Sequence, residues 1–389
     1  MSIYIDREQT QAKHFILRRY LQELAFKVLH GWDITYIDGF SGPWQSKRDD
    51  FSDTSFMIAI EVLKDAQARI LADTGKRRRI RCFFSENDPT AYAQLVQAVA
   101  PHNKPSEGFE VQTFCGKFED AVQQIHEVIG GAFPLIFIDP TGWTGYPFQK
   151  IKSIFGSSKC EVLINFMYGH ISRFVTSQDE ATIASLDPIL GGPGWWERLD
   201  KSMAPGPAVE KLFRETLKQE GNFSYVVSTK IDKSTADRPH FFLAYGTKNR
   251  AGLKAFRQTE YAALREHAKN RANAKERKRE ARTQIMDLFS GVDATIQEAS
   301  IDQLVEEQKK LAADQLLKMI SRGGAMKFAN VVDALLEAFM LRETNVKDVW
   351  TPRKIGASHH RANQIQGSHT LSAGGWHGTA WLLRFEPTL

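Results

Sequence analysis

Short apolar runs and longer amphipathic ones take turns along residues 1–260 of the chain. Residues 36–44, Y-I-D-G-F-S-G-P-W, form an apolar run that ends in an acidic, glycine-containing turn. The stretch from Ser55 to Leu71 has helical period, and R-I-R-C-F-F-S-E-N-D then carries a run from Ile80 to Phe84 that ends at Glu86. A helical piece from Pro89 to Val99 leads to V-Q-T-F-C-G-K-F-E-D, and an amphipathic run from Ala121 to Ile129 follows. The fourth apolar run, L-I-F-I-D-P-T-G-W at 135–143, stops at Asp139-Pro140, and the fifth is C-E-V-L-I-N-F-M at 160–167. Short apolar runs bounded by polar turns and separated by 3.6-period stretches predict strand, helix, strand, helix, and so an α/β, doubly wound, mostly parallel sheet.

Two more strand-like runs, S-Y-V-V-S-T-K-I and H-F-F-L-A-Y-G-T, flank the polar loop D-K-S-T-A-D-R-P and predict an antiparallel hairpin. A parallel sheet closed by such a hairpin follows the class-I methyltransferase plan rather than the dehydrogenase plan.

The turns suggest the chemistry. Asp38 ends the first strand, Gly39 and Phe40 follow, and Gly42 removes a side chain where backbone must pass close to a ligand. The three-glycine G-x-G-x-x-G signature is missing, and with it the cradle a pyrophosphate requires. S-adenosylmethionine (SAM), with a sulfonium and an amino-acid tail but no pyrophosphate, suits this turn better. D-G-F-S-G also makes an ordinary tight turn. Glu86, an acid at the end of the second strand, is the candidate partner of a ribose diol, because a carboxylate accepts both hydroxyl hydrogens.

The charge is concentrated in one place. From Arg265 to Arg282 there are eight Lys or Arg against three Glu, a net +5 that equals the formal net charge of all 389 residues. The stretch is alanine-rich, lacks glycine and proline, and predicts a long exposed helix. Lys275, Arg277, Lys278, Arg279 and Arg282 are its candidate phosphate contacts. No aromatic residues interleave for base stacking, which tips the reading of the same residues toward a solvated linker helix.

Downstream, I-D-Q-L-V-E-E-Q-K-K-L-A-A-D-Q-L-L-K-M-I is a helix, Gly323-Gly324 punctuates, and F-A-N-V-V-D-A-L-L-E-A-F-M is an amphipathic helix. Thr344 is placed to cap another helix, and G-S-H-T-L-S-A-G-G-W-H-G-T-A-W-L-L-R-F has the pattern of a hairpin. Short helices followed by a hairpin predict a winged-helix-like module that binds nucleic acid or a protein partner. The expected organisation is a Rossmann domain over 1–260, a basic and amphipathic helical connector over 261–322, and the winged-helix-like module over 323–389. His359, His360, His369 and His377 lack Cys partners or i, i+4 spacing and read as surface residues rather than metal ligands. The tryptophan loop Gly191 to Trp196 is a candidate substrate lid, or a packing element.

At 42% hydrophobic residues the chain can bury a sizeable core. It shows no leader-like N-terminus and no apolar run near twenty residues, so a cytoplasmic protein with no membrane contact is expected. Cys82, Cys115 and Cys160 are odd in number and lie in or beside predicted strands, which argues for reduced core thiols and against disulfides or zinc.

Taken together, K-H-F-I-L-R-R-Y-L before Y-I-D-G-F-S-G, then F-F-S-E-N-D, I-F-I-D-P-T-G-W-T-G-Y-P, L-I-N-F-M with I-S-R-F, and F-F-L-A-Y-G-T-K-N-R-A-G-L resemble the three-Cys-motif partner protein (TcmP) family of bacteria, over roughly residues 10 to 260. The resemblance implies a methyltransferase-like fold and a partner protein that carries the three-Cys motif, which this chain's own cysteines do not form. By position it implies Asp38, Gly39, Phe40 and Gly42 as the cofactor turn, Glu86 as the ribose acid, Gly116 and Phe118 near the adenine, and Asp139, Pro140 and Trp143 over the reactive methyl. The chain departs from the pattern in two places. Lys117 follows Gly116 where an acid is usual. Asp139-Pro140-Thr141-Gly142-Trp143 replaces the Asp-Pro-Pro-Tyr of amino-methylating enzymes, in which the Asp and a backbone carbonyl accept from the target amino group. The leading expectation is a SAM-dependent methyltransferase acting on an amino group in DNA or RNA. A catalytically idle adaptor that docks a partner is the alternative, and a nuclease using Asp38, Glu86 and Asp139 with a divalent metal is a weaker one.

Overall fold

The computed structural model describes residues 4–43, 46–169, 171, 180–285, 291–321, 326–350 and 382–383. They form two compact units, residues 1–298 and 299–389.

In the first unit, α1 (Glu8–Val28) precedes β1 (Ile34–Asp38), α2 (Ser55–Thr74), β2 (Ile80–Glu86), α3 (Pro89–Val99), β3 (Phe109–Cys115), α4 (Val122–Ile129) and β4 (Phe133–Ile138). There follow the single turn α5 (Phe148–Ile151), β5 (Glu161–Phe166), α6 (Glu180–Leu190), α7 (Pro205–Glu220), β6 (Tyr225–Asp232), β7 (Pro239–Thr247) and α8 (Arg250–Thr283). The strands make one seven-stranded sheet in the order β3-β2-β1-β4-β5-β7-β6. The first five are parallel, and β7 runs antiparallel to both β5 and β6. This is a mixed α/β, Rossmann-like arrangement in which strand order reverses between β1 and β4, where a crevice opens at the carboxyl ends of the strands.

Local chemistry sets the helix starts. Thr54 accepts from the Met57 N–H ahead of α2, Asp88 accepts from Ala91 N at 2.8 Å with Pro89 in the first turn of α3, and Asn249 accepts from Ala251 N at 2.8 Å ahead of α8. Every residue of β1, β4 and β5 is buried, so both faces of the central strands are covered. On one face Ile37, Ile136, Ile138, Val162 and Ile164 pack with Phe148, Trp195 and Phe213. On the other, Phe56 of α2 meets Phe84 with ring centroids 6.0 Å apart, and Phe256 of α8 stacks on Tyr245 at 4.3 Å. Each such ring contributes about 1.5–3 kcal/mol by leaving water.

A polar knot sits at the start of β5, the end away from the crevice. Glu161 is fully buried and accepts from Tyr20 Oη at 2.5 Å and from Thr247 Oγ1 at 3.0 Å, while the Tyr20 and Tyr245 hydroxyls lie 2.5 Å apart. Burial pushes the Glu161 carboxyl up to about 7, against the pull of these hydroxyls.

The basic stretch 265–282 is not a separate connector, because it is the second half of α8 and belongs to the first unit. Leu253, Phe256, Ala263, His267, Ala272 and Ala274 are buried, and α8 packs along α1. The cysteines divide: Cys82 and Cys160 are buried as expected, but Cys115 is exposed, because β3 is the outer strand of the sheet.

The second unit begins within α9 (Val292–Ser321) and contains β8 (Met326–Lys327), α10 (Phe328–Ala338), α11 (Glu343–Trp350) and β9 (Leu382–Leu383), with β8 antiparallel to β9. Val331, Leu335, Leu336, Val346 and Val349 are buried in it. The four tail histidines and most of the expected tail hairpin lie outside the described residues. No described helix is long and apolar enough to cross a membrane.

Candidate functional site

A cavity of ≈ 1150 Å³ lies at the carboxyl ends of all five parallel strands. It is lined by Gly39, Phe40 and Gly42 after β1, Glu86 to Asp88 after β2, Gly116 to Phe118 after β3, Asp139 to Gly142 after β4, and Asn165 and Met167 at the end of β5. Arg7, Thr10, Lys13 and His14 from the start of α1 wall it opposite, with His240 and Phe241 of β7.

The β1 turn is tied down on both sides. Gly39 N donates to Phe137 O at 3.0 Å, Ser41 N to Ser85 O at 2.9 Å, and Ser85 Oγ to Gly39 O at 2.9 Å. A Cβ on Gly39 would stand 2.9 Å from two ring carbons of Phe118, so glycine is required by close approach. Gly116 has φ +153°, and a Cβ there would meet the Phe114 ring at 2.7 Å.

Asp38 is not part of the cavity wall. Its carboxylate is wholly buried and accepts from Phe40 N at 3.1 Å and Ser55 Oγ at 2.7 Å, so it shapes the turn from beneath. Burial pushes this carboxyl up to about 6, with the Ser55 and Phe40 hydrogen bonds acting the other way and the Asp139 charge adding to the rise. The cavity is lined by the residues that follow Asp38, not by its carboxylate.

Glu86 is 5% exposed and accepts from Asp88 N at 2.7 Å, which turns its carboxylate back over the β2 end into the cavity wall. Asp139 stands across from it. One of its oxygens takes an ion pair from Lys13, and the other accepts from Asn165 Nδ2 at 2.7 Å. The Lys13 and Asp139 side chains are 12% and 15% exposed, so this pair is screened far less than a surface bridge. His14 makes a 3.1 Å contact to the Tyr4 hydroxyl through Nδ1, and burial, together with the Lys13, Arg7 and Arg18 charges, holds its pKa well below the ordinary range. The ring is neutral at pH 7. Asp53, almost fully buried, accepts from Ser46 Oγ at 2.6 Å and Lys47 N at 3.0 Å, with Arg7 Nη1 3.8 Å away.

The structure thus brings Gly39, Phe40, Gly42, Glu86, Gly116, Phe118, Asp139 and Pro140 around one cavity. It does not bring Trp143 there. The indole N–H donates to Ser185 Oγ of α6 at 2.9 Å and the ring packs against the core, because burying this large apolar surface outweighs leaving it over an open crevice. The tryptophan loop is no lid over this cavity either: Trp195 is buried, its N–H donating to Ile183 O at 3.2 Å, and neither Trp195 nor Trp196 lines the cavity.

The basic helix face is partly spent within the fold. Lys275 pairs with Asp237 at 2.8 Å and Arg277 pairs with Glu8, while Lys278, Arg279 and Arg282 stand exposed.

Sequence reasoning missed Lys13 and Asn165. The signals for them were a lysine in an otherwise apolar helical run, K-H-F-I-L, and one amide inside the buried strand L-I-N-F-M.

Neither a scan against family models nor a search of curated proteins finds a match to this sequence.

Proposed function

We propose that this protein is a SAM-dependent methyltransferase of the class-I type that methylates an amino group in a nucleic acid. It acts with a partner protein carrying a three-Cys motif, as the resemblance to the three-Cys-motif partner family implies, and the second unit is its winged-helix-like docking module. The observation that carries this reading is the placement of two acids, Glu86 after β2 and Asp139 after β4, on either side of the glycine turn of β1 in one cavity. The sheet order with its one antiparallel strand, β7, accords with the class-I plan.

The residues fit SAM on two counts. Gly39, held against the Phe118 ring, presents backbone without a side chain to the cavity, and Glu86 offers a carboxylate to a ribose diol. The chemistry SAM supplies when bound is a methyl group on a sulfonium sulfur, electrophilic enough to be taken by a neutral amine. Glu86 holds and orients, the Gly39 to Gly42 backbone accepts close approach, and Asp139 accepts a hydrogen from the acceptor nitrogen so that its lone pair points at the methyl. Pro140 fixes the chain next to that acid.

Calorimetric titration with SAM and with its demethylated product tests the reading. Micromolar binding is expected, and Glu86→Ala weakens it about 10- to 100-fold, the value of hydrogen bonds to a charged group. A folded protein that takes up neither compound refutes it.

One observation favours the adaptor: both oxygens of Asp139 are engaged, by Lys13 and Asn165. SAM binding without transfer of a labelled methyl to any DNA, RNA or protein acceptor is the result that reading requires.

A further inference from the structure

Asn165 is the penultimate residue of the buried strand β5 and is 3% exposed, yet it lines the cavity beside Asp139. Its amide orientation is set by chemistry. Nδ2 donates to Asp139 Oδ1 at 2.7 Å and to Met167 Sδ at 3.4 Å, and the flipped amide would set its oxygen against a carboxylate. The carbonyl, Oδ1, is thereby committed to accepting, and it finds no donor among the described residues. A buried carbonyl without a donor costs free energy, and after Val162, Leu163 and Ile164 and before Phe166 an apolar residue would avoid that cost. The arrangement is explained if the missing donor arrives with a ligand.

We propose that Asn165 Oδ1 and Asp139 together form a two-acceptor cradle for a neutral primary amino group, the exocyclic amine of a nucleobase. The proposal rests on the methyltransferase reading above and names the substrate atom for it. A primary amine has two N–H donors and one lone pair. Binding both donors leaves the lone pair as the one free direction, which is the geometry nucleophilic attack requires. Asn165 then supplies an acceptor beside Asp139, the part that a backbone carbonyl plays in Asp-Pro-Pro-Tyr loops.

Lys13 decides the charge of the acceptor. Its ammonium neutralises Asp139, so the cradle has no net negative charge to hold an ammonium ion, which in any case has no lone pair. A neutral aromatic amine meets no such objection. Phe40, half-buried at the cavity wall, gives a planar base a face to lie against, and the exposed Lys278, Arg279 and Arg282 on α8 of the same unit favour a nucleic acid over a peptide carboxamide.

In the step, the nitrogen lone pair forms the new N–C bond and the C–S bonding pair returns to sulfur, which leaves as a neutral thioether. The nitrogen, now positively charged, gives one N–H proton to Asp139 and thence to solvent, so the neutral N-methyl amine remains.

The test uses the full-length protein with tritiated SAM. Acceptors are single-stranded DNA and RNA oligonucleotides of mixed sequence, the same oligonucleotides with adenine, cytosine and guanine replaced by analogues lacking the exocyclic amine, and a glutamine-containing peptide. The expected result is transfer to the amine-bearing oligonucleotides alone. Asn165→Ala should lower that transfer about 100-fold, in the range lost when one positioned hydrogen-bonding group is removed, with the SAM dissociation constant within twofold of wild type. Asn165→Gln, which keeps both an amide donor for Asp139 and a carbonyl acceptor, should recover part of the rate. Transfer within threefold of wild type in Asn165→Ala overturns the cradle while the methyltransferase reading stands. Equal transfer to the amine-free oligonucleotides, or transfer to the peptide alone, overturns the nucleobase amine. A folded wild type that does not bind SAM overturns the methyltransferase reading and the proposal with it.

Discussion

Gly252 lies in the first turn of α8, a position where alanine would ordinarily be welcome, since Gly→Ala gains up to about 1 kcal/mol in a helix. The surroundings reverse that expectation. A Cβ at 252 would stand 2.3 Å from Glu161 Oε1, 2.4 Å from the Tyr245 hydroxyl and 2.7 Å from Thr247 Oγ1. All three belong to the buried knot at the start of β5, which has no solvent to retreat into. Clearing the methyl group moves the Glu161 carboxyl by roughly 1 Å, enough to break its bond from Thr247 or Tyr20 and leave a buried carboxyl under-satisfied, at about 1.5–3 kcal/mol per charge-assisted bond. Overpacking adds about 1–3 kcal/mol. Against a gain of at most about 1 kcal/mol, Gly252→Ala should lose about 2–5 kcal/mol, a large part of the ~5–15 kcal/mol that holds a domain folded. Urea unfolding followed by tryptophan fluorescence measures this as a fall in the midpoint. Combining the change with Glu161→Ala removes the atom nearest the clash, so the double variant should be less destabilised than the sum of the two single variants. A Gly252→Ala protein as stable as wild type, or strict additivity in the double variant, would refute the reasoning.

Two further outcomes follow from the buried carboxyls and the β1 turn. Glu161, pushed up to about 7, and Asp38, pushed up to about 6, bind their protons more tightly folded than unfolded. Their contribution to stability is therefore full below the ordinary carboxylate range and is lost as pH rises through about 6 and 7, ~3 kcal/mol for Glu161 at the upper end. Thermal melts of wild type should decline between pH 5 and 8 relative to Glu161→Gln, and parallel profiles would contradict the assignment. Gly39→Ala places a methyl 2.9 Å from the ring of buried Phe118, so about 1–3 kcal/mol of stability and most of the SAM affinity should be lost together; unchanged calorimetric affinity would show that the turn does not touch the cofactor.

The strands and their turns were legible because the apolar runs are short and bounded, and because acids at strand ends have few structural uses. Glu86 and Asp139 were found that way. Asp38 has the same signature, but two donors from its own turn and from α2 draw its carboxylate inward, and no spacing rule distinguishes an acid that faces a ligand from one that holds a turn. Lys13 was not legible as a site residue because its partner is 126 residues away in the chain. The basic stretch was misread in part because its alanines were taken as helix propensity alone and not as packing residues. Ala263, Ala272 and Ala274 are the residues that bury α8 against its neighbours, and alanine signals helix propensity and close packing alike.

The packing of α1 has a consequence for synthesis. This helix is made before the other described elements, yet it lies along α8, to which it is tied by Tyr20 against Phe256 and by Glu8 to Arg277. At roughly 5–20 residues per second, the ribosome needs about 10–45 s between finishing α1 and starting α8. During that interval Tyr20 and its neighbours have α2 to rest on but no second wall, and the Glu161 knot cannot close. The nascent chain therefore carries an apolar helix face in water through that interval, a period in which a chaperone has its best opportunity to bind.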